Sequence, residues 1–176
     1  MRHIGKYHSP LGEITMAGEG NALTGLWFEG QKYFGSARCG EWEEGMLPVL
    51  ERTAEWLDLY FEGKIPDFMP EIEFRDTPFR MAVWKRLLDI PYGSKITYGQ
   101  MAADIAEQMG KRRMSARSIG GAIGHNPISI IVPCHRVVGA DGGLTGYAGG
   151  IYRKEYLLML EKKYGCKEGD RYGERA

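Results

Sequence analysis

The charge of this chain changes sign at one place, and that place lacks the periodicity of a regular element. Up to Asp76 there are 7 basic and 14 acidic residues, a balance of −7, and from Thr77 onward 16 basic and 9 acidic, a balance of +7. The stretch 63–76 carries Pro66 and Pro70 among acidic residues and no sustained helical repeat. Two oppositely charged halves meeting there read as two folding units, 1–76 and 77–165, followed by a charged tail over 166–176. Only the second half suits a polyanion. The formal net charge of zero over all 176 residues conceals this and, taken alone, argues against a nucleic-acid partner.

A composition of 43% hydrophobic and 26% charged residues is ordinary for a globular chain and excludes disordered or collagen-like classes. The longest apolar runs, such as Ile128 to Pro133, fall far short of the roughly 20 residues that cross a bilayer, and no signal-peptide core follows Met1. The reading is a cytoplasmic protein with no membrane partner. Its three cysteines, Cys39, Cys134 and Cys166, are odd in number and widely separated, which fits neither a zinc site nor a disulfide framework. No metal is expected, and at least one thiol is free.

Short β-type runs between Tyr7 and Phe28, turning at Gly18 to Asn21, predict a hairpin. Val49, Leu50, Trp56, Leu57 and Tyr60 recur at near-helical spacing and predict an amphipathic helix over 48–61. Beyond the charge break, Thr77-Pro78-Phe79 is a helix start, with Phe79, Val83, Leu87 and Leu88 as its apolar stripe. Helices are also expected over 97–109 and 115–124. Joined by a charged turn, these two make a helix-turn-helix candidate.

The run from Ile128 to Val138, Ile-Ser-Ile-Ile-Val-Pro-Cys-His-Arg-Val-Val, reads as an apolar strand interrupted by a reactive pair. Pro133 lacks an N–H, so the chain is expected to leave the strand there and present Cys134 on a fixed turn. A thiol with a pKa of about 8.5 is mostly protonated at neutral pH, and a nucleophilic cysteine therefore needs a base or positive surroundings. His135 and Arg136 are candidates for both. Adjacent side chains diverge, however, so a turn or a bridging water must bring His135 to the sulfur. A buried Cys beside a satisfied His is the competing reading of these residues alone.

The same residues carry a family resemblance. Asn126-Pro127, Ile131 to Val138, Gly146-Tyr147-Ala148-Gly149-Gly150, and Lys154 with Leu157-Leu158 and Glu161 resemble, in order and spacing, the core of the O6-alkylguanine-DNA alkyltransferases, or methylated-DNA-protein-cysteine methyltransferases. Thr77-Pro78-Phe79, Val83-Trp84, Ile90-Pro91-Tyr92-Gly93, Tyr98-Gly99 and Ala116-Arg117 fit as well. Tyr7 to Gly12 and Tyr60-Phe61-Glu62-Gly63 are similar to the family's amino-terminal domain, so the likeness spans nearly the whole chain.

The resemblance implies an α/β (α+β) fold, with an N-terminal ribonuclease H-like α/β domain followed by a C-terminal helical, winged helix-turn-helix domain. It implies a monomeric, self-inactivating repair protein that needs no cofactor. Such a protein moves an alkyl group, typically methyl, from O6 of guanine in double-stranded DNA to its own cysteine, with O4-alkylthymine a poorer substrate. Cys134 would be the acceptor, His135 would take its proton through a water, and Glu161 would hold the imidazole. Asn126 would fix the active-site turn, and Tyr98 would donate toward the departing base.

The target atom lies inside the duplex, so the nucleotide must be flipped out, which costs a few kcal/mol. Arg117 would fill the gap, flanked by Ala116, Ser118, Gly120 and Gly121 on a bare helix that could approach the minor groove, only about 6 Å wide. Close helix packing is the other explanation for those glycines. Arg136 is placed with the DNA-binding residues. Val132, Tyr147, Ala148, Gly149 and Lys154 would line the lesion pocket, in a loop from Gly142 to Gly150.

Two features depart from the family pattern. The turn between the paired helices is long and carries Lys111, Arg112 and Arg113, expected to touch backbone phosphates, and Ser118 replaces a small apolar residue. Three other classes compete with this reading. A lesion-binding module that flips bases without repairing them would lack Cys134. A helix-turn-helix regulator would leave Pro-Cys-His-Arg unexplained, and a cysteine hydrolase would have to turn over repeatedly.

Overall fold

The computed structural model describes residues 1–35 and 40–173, with side chains through Gly165. Cys39, Cys166 and the charged residues of the expected tail therefore lie outside the described side chains. Three strands open the chain: β1 (Arg2–Ser9), β2 (Gly12–Glu19) and β3 (Ala22–Phe28). They form an antiparallel meander in which Arg2 pairs with Glu19, Ser9 with Gly12, and Ile14 with Phe28. The expected hairpin is thus the second turn of a longer ribbon. β1 escaped the sequence because it is only half-buried and its side chains are mostly polar. Its turn into β2 needs a glycine, since Gly12 has φ +103°.

A two-residue strand, β4 (Glu43–Glu44), lies parallel to β1 and completes the order β3-β2-β1-β4. Helix α1 (Pro48–Phe61) starts at the expected proline and lays Leu50, Leu57 and Tyr60 against the sheet.

β3 is buried along its whole length, although it stands at the edge of the sheet. An uncovered strand edge leaves backbone donors and acceptors open. Here the edge is closed twice. Leu23 N donates to Glu71 O at 2.7 Å and Leu23 O accepts from Glu73 N at 3.0 Å, so part of the stretch expected as a plain boundary acts as a strand partner. Further along, Leu26 N donates to Pro127 O at 2.8 Å and Leu26 O accepts from Ser129 N at 2.9 Å. The second contact joins the two halves of the chain directly ahead of Cys134.

The basic half begins with α2 (Pro78–Leu87), capped by the Thr77 hydroxyl accepting from Arg80 N. Strand β5 (Ile96–Thr97) leads into α3 (Tyr98–Gln108), where Thr97 and Gln100 form a reciprocal capping box. Ser115 caps α4 (Ala116–Gly124). These three helices enclose Val83, Trp84, Leu87, Met101, Ile105, Ile119 and Ile123, and the Trp84 indole donates to Ala122 O at 2.8 Å.

The segment from Ile128 to Val132 is not the strand its composition predicts. Ile130 sits at φ +68°, and the backbone groups of this stretch bond to β3 at one isolated parallel bridge, to the Asn126 side chain and to one another in tight turns. A 3-10 turn over Cys134–Arg136 follows Pro133, so the chain does turn at the proline. Strand β6 (Val137–Val138) then pairs parallel with β5, and α5 (Ile151–Gly173) ends the fold, its backbone running through much of the expected tail. No helix among the described residues is long and apolar enough to cross a membrane.

Candidate active site

Asn126 is the residue that shapes the loop. It follows the end of α4, is buried, and makes three bonds: Nδ2 donates to Ile128 O at 3.2 Å and Val132 O at 2.9 Å, while Oδ1 accepts from Ile128 N at 3.0 Å. These bonds hold the left-handed kink at Ile130 and set Pro133 and Cys134 over the core. Cys134, 4% exposed, donates its backbone N–H to Val132 O at 2.8 Å. Burial pushes its thiol above the ordinary cysteine value, against opposing pulls from the Asn126 side chain, the Lys154 charge and the amides of Cys134 and His135. At rest, Cys134 is therefore a thiol, which needs a base to become a nucleophile.

His135 can act as that base. Its Nε2 lies 2.7 Å from Glu161 Oε1, and a carboxylate can only accept, so Nε2 carries the proton. That tautomer leaves Nδ1 as the acceptor, and Nδ1 is buried with no hydrogen-bond partner among the described residues. Burial lowers the imidazole pKa and outweighs the raising effect of Glu161, so the neutral, proton-accepting form is the resting one.

Glu161 is 1% exposed, yet its carboxyl is held well below the usual range. Burial alone would raise it, but the hydrogen bond from His135 and the hydrogen bonds and charge of Arg136 outweigh burial. The Arg136 guanidinium grips both oxygens, with Nη2 to Oε1 at 2.8 Å and Nε to Oε2 at 2.9 Å, and its Nη1 donates to Ile90 O at 2.6 Å. This corrects the expectation that Arg136 faces DNA: a buried carboxylate must be paired, and Arg136 is the partner it has. Gly93 N donates to Oε2 at 3.2 Å, and Tyr60 Oη donates to Oε1 at 2.8 Å. Neither residue was readable as part of the site. Tyr60 reads as one more apolar position of α1, and no local pattern links it to a residue 101 positions away.

Lys154, expected to line the lesion pocket, is buried. Its ammonium donates to Val137 O at 2.6 Å and Thr145 O at 3.2 Å, and it lies close enough to Cys134 to favour a thiolate. Tyr98 Oη donates to Thr145 O at 2.9 Å, tying the start of α3 to the glycine loop. Tyr147 is buried beside Cys134. An open cavity of about 370 Å³ lies between that loop and α4, lined by Tyr147, Ala148, Gly120, Gly121 and Gly124, with Lys32 and Tyr33 contributed by the acidic half. Val132 is fully buried under the loop, and Gly149 packs against Phe28 and Tyr147. Sequence reasoning also missed Tyr33, which adopts φ +58° and stacks on the His125 ring with centroids 3.7 Å apart.

Ala116, Arg117, Ser118 and Gly121 are exposed along α4, and Gly120 is half-exposed. A Cβ added to Gly120, Gly121 or Gly124 meets nothing within 4 Å, so close packing does not explain these glycines. The helix face is open. The Ser118 hydroxyl is 2.8 Å from that of Ser115, which accounts for its polarity as part of the cap. Lys111, Arg112 and Arg113 are exposed beside a groove of about 550 Å³ along α3.

A family model described as the DNA-binding domain of 6-O-methylguanine DNA methyltransferase matches residues 78–163, and one described as its ribonuclease-like domain matches residues 3–74. The chain belongs to this family. Among methyltransferases of the family, the methylated-DNA-protein-cysteine methyltransferase of Mycobacterium bovis is 46% identical over 162 residues, covering 92% of this chain and 93% of that protein. The counterpart from Methanosarcina barkeri is 42% identical over 155 residues, covering 88% and 93%. The Mycobacterium tuberculosis OGT crystal structure in complex with DNA superposes with a TM-score of 0.78 at 44% identity, covering 92% of this chain and 94% of that one. As a methyltransferase of this family, the protein repairs DNA by transferring an alkyl group to a cysteine of its own.

Proposed function

We propose that Cys134 is the acceptor and that the substrate is O6-alkylguanine flipped from double-stranded DNA, with O4-alkylthymine served less well. The observation that carries this reading is the His135–Glu161 pair directly after Cys134, in which the imidazole Nδ1 is a buried acceptor with no hydrogen-bond partner among the described residues. A water between sulfur and Nδ1 passes the thiol proton to His135, and Lys154 offsets the thiolate charge. The sulfur lone pair forms a bond to the alkyl carbon as the bond from that carbon to guanine O6 breaks. The electron pair stays on the base, and Tyr98, whose phenol stays protonated, turns its single O–H from Thr145 O to donate to it. The thioether formed has no easy route back, so each molecule acts once.

The bare face of α4 enters the minor groove, Arg117 takes the place of the flipped base, and Lys111, Arg112 and Arg113 contact phosphates. The protein works as a cytoplasmic monomer without a cofactor, dividing its labour between 1–76 and 77–165. The test is an oligonucleotide duplex bearing O6-methylguanine with a labelled methyl group. One methyl per protein on Cys134 is expected, with none transferred by Cys134→Ala. Transfer by that variant would overturn the assignment.

A further inference from the structure

We propose that Tyr60, contributed by the acidic half, is a positioning residue of the alkyl-transfer site: its hydroxyl fixes Glu161 Oε1 and thereby sets how firmly Glu161 holds the His135 imidazole. The proposal rests on the reading of Cys134 and His135 given above. Tyr60 is completely buried, and its Oη donates at 2.8 Å to the same oxygen that accepts from His135 Nε2 at 2.7 Å. The ring has little freedom to aim elsewhere. Trp56 stacks on it with centroids 5.2 Å apart and planes at 11°, and Phe61 and Tyr92 meet it edge-on at 5.5 and 6.0 Å. Burial, then the charge of Glu161, keep the phenol protonated far above its ordinary range, so it is a permanent donor.

A core tyrosine with a merely satisfied hydroxyl is the simpler account, and the choice of acceptor separates the two. Arg136 and Gly93 already supply donors to both oxygens of Glu161. Tyr60 adds its bond where the base is held. Donors that share one carboxylate oxygen compete for its charge. With Tyr60 in place, less of that charge reaches Nε2–H, which favours neutral imidazole, the form that accepts the thiol proton. Besides Glu161, the charged groups acting on the imidazole are Arg136 from the turn and Lys154 from α5, while Tyr92, from the loop before β5, faces the Tyr60 ring. None of these replaces a donor to Oε1 from the side of α1.

The experiment follows single-turnover methyl transfer against pH in the full chain, together with the imidazole nitrogen shifts of His135 in the free protein. Tyr60→Phe keeps the ring and removes the donor. The acidic limb of the rate and the His135 titration should both move to higher pH by about half a unit, so that the rate falls roughly threefold at a pH well down that limb and changes little at pH 7. Replacing Tyr60 with 3-fluorotyrosine, a stronger donor of nearly the same shape, should move both to lower pH and keeps the test open if the phenylalanine variant does not fold. Leu57→Ala, a core change on the same helix, should lower the melting temperature and leave the limb in place. Unmoved limbs in both Tyr60 variants, or an equal shift from Leu57→Ala, would overturn the proposal. If the wild-type protein places no methyl on Cys134, the functional reading fails while the nitrogen shifts still decide the role of Tyr60.

Discussion

At Glu161 five donors converge on two oxygens: Tyr60 Oη, His135 Nε2, Gly93 N, and Nε and Nη2 of Arg136. Removing one partner of such a buried pair leaves a charge uncompensated, and for Arg136→Ala the loss is about 3–5 kcal/mol of stability. Chemical denaturation should show that loss; a variant as stable as wild type but weaker on DNA would restore the surface role first expected of Arg136. The turn at Cys134 and His135 was legible in the sequence because Pro133 lacks an N–H and interrupts an extended run, whereas their roles came from the family resemblance. The partners of Glu161 were not legible, because a side chain declares its chemistry in sequence but not the direction in which packing will aim it.

Among the elements, α4 separates folding from function most cleanly. Its glycines carry open space, so Gly121→Leu should leave the melting temperature unchanged or raise it, since glycine in a helix is about 1 kcal/mol worse than alanine. Its affinity for duplex DNA should nevertheless fall about tenfold or more, roughly 1.4 kcal/mol, by gel shift. Replacing Lys111, Arg112 and Arg113 together with Ala should flatten the salt dependence of binding by roughly two to three in the log–log slope, if each cation displaces about one counterion. An unchanged slope would remove the turn from the interface. The helices themselves were readable because Thr77, Thr97 and Ser115 cap them and Pro48 and Pro78 begin two of them. The run 128–132 misled, since apolar β-branched residues signal burial and leave the backbone path to be decided by Asn126.

Over the whole molecule, the acidic and basic halves share their interior, through β3 and through Tyr60, and acid should expose that dependence. Glu161 titrates below its ordinary value of about 4.3, so its ionised form stabilises the fold above that pH and the contribution is lost as pH falls below it. The difference in melting temperature between wild type and Glu161→Gln should therefore be largest near neutrality and shrink toward pH 3. A difference independent of pH would argue against an ionised Glu161.

The double closure of β3 also bears on how the chain is made. Leu26 leaves the ribosome long before Pro127 and Ser129, the residues that complete its hydrogen bonds, while Leu23 waits only for 71–73. For that interval the nascent acidic half carries a bare, largely apolar strand edge, the kind of surface that recruits other chains. Slowed synthesis of the second half should raise aggregation even though every residue of the first is already present. The same stitch that orients the reactive loop makes the yield of the protein depend on how promptly its C-terminal half arrives.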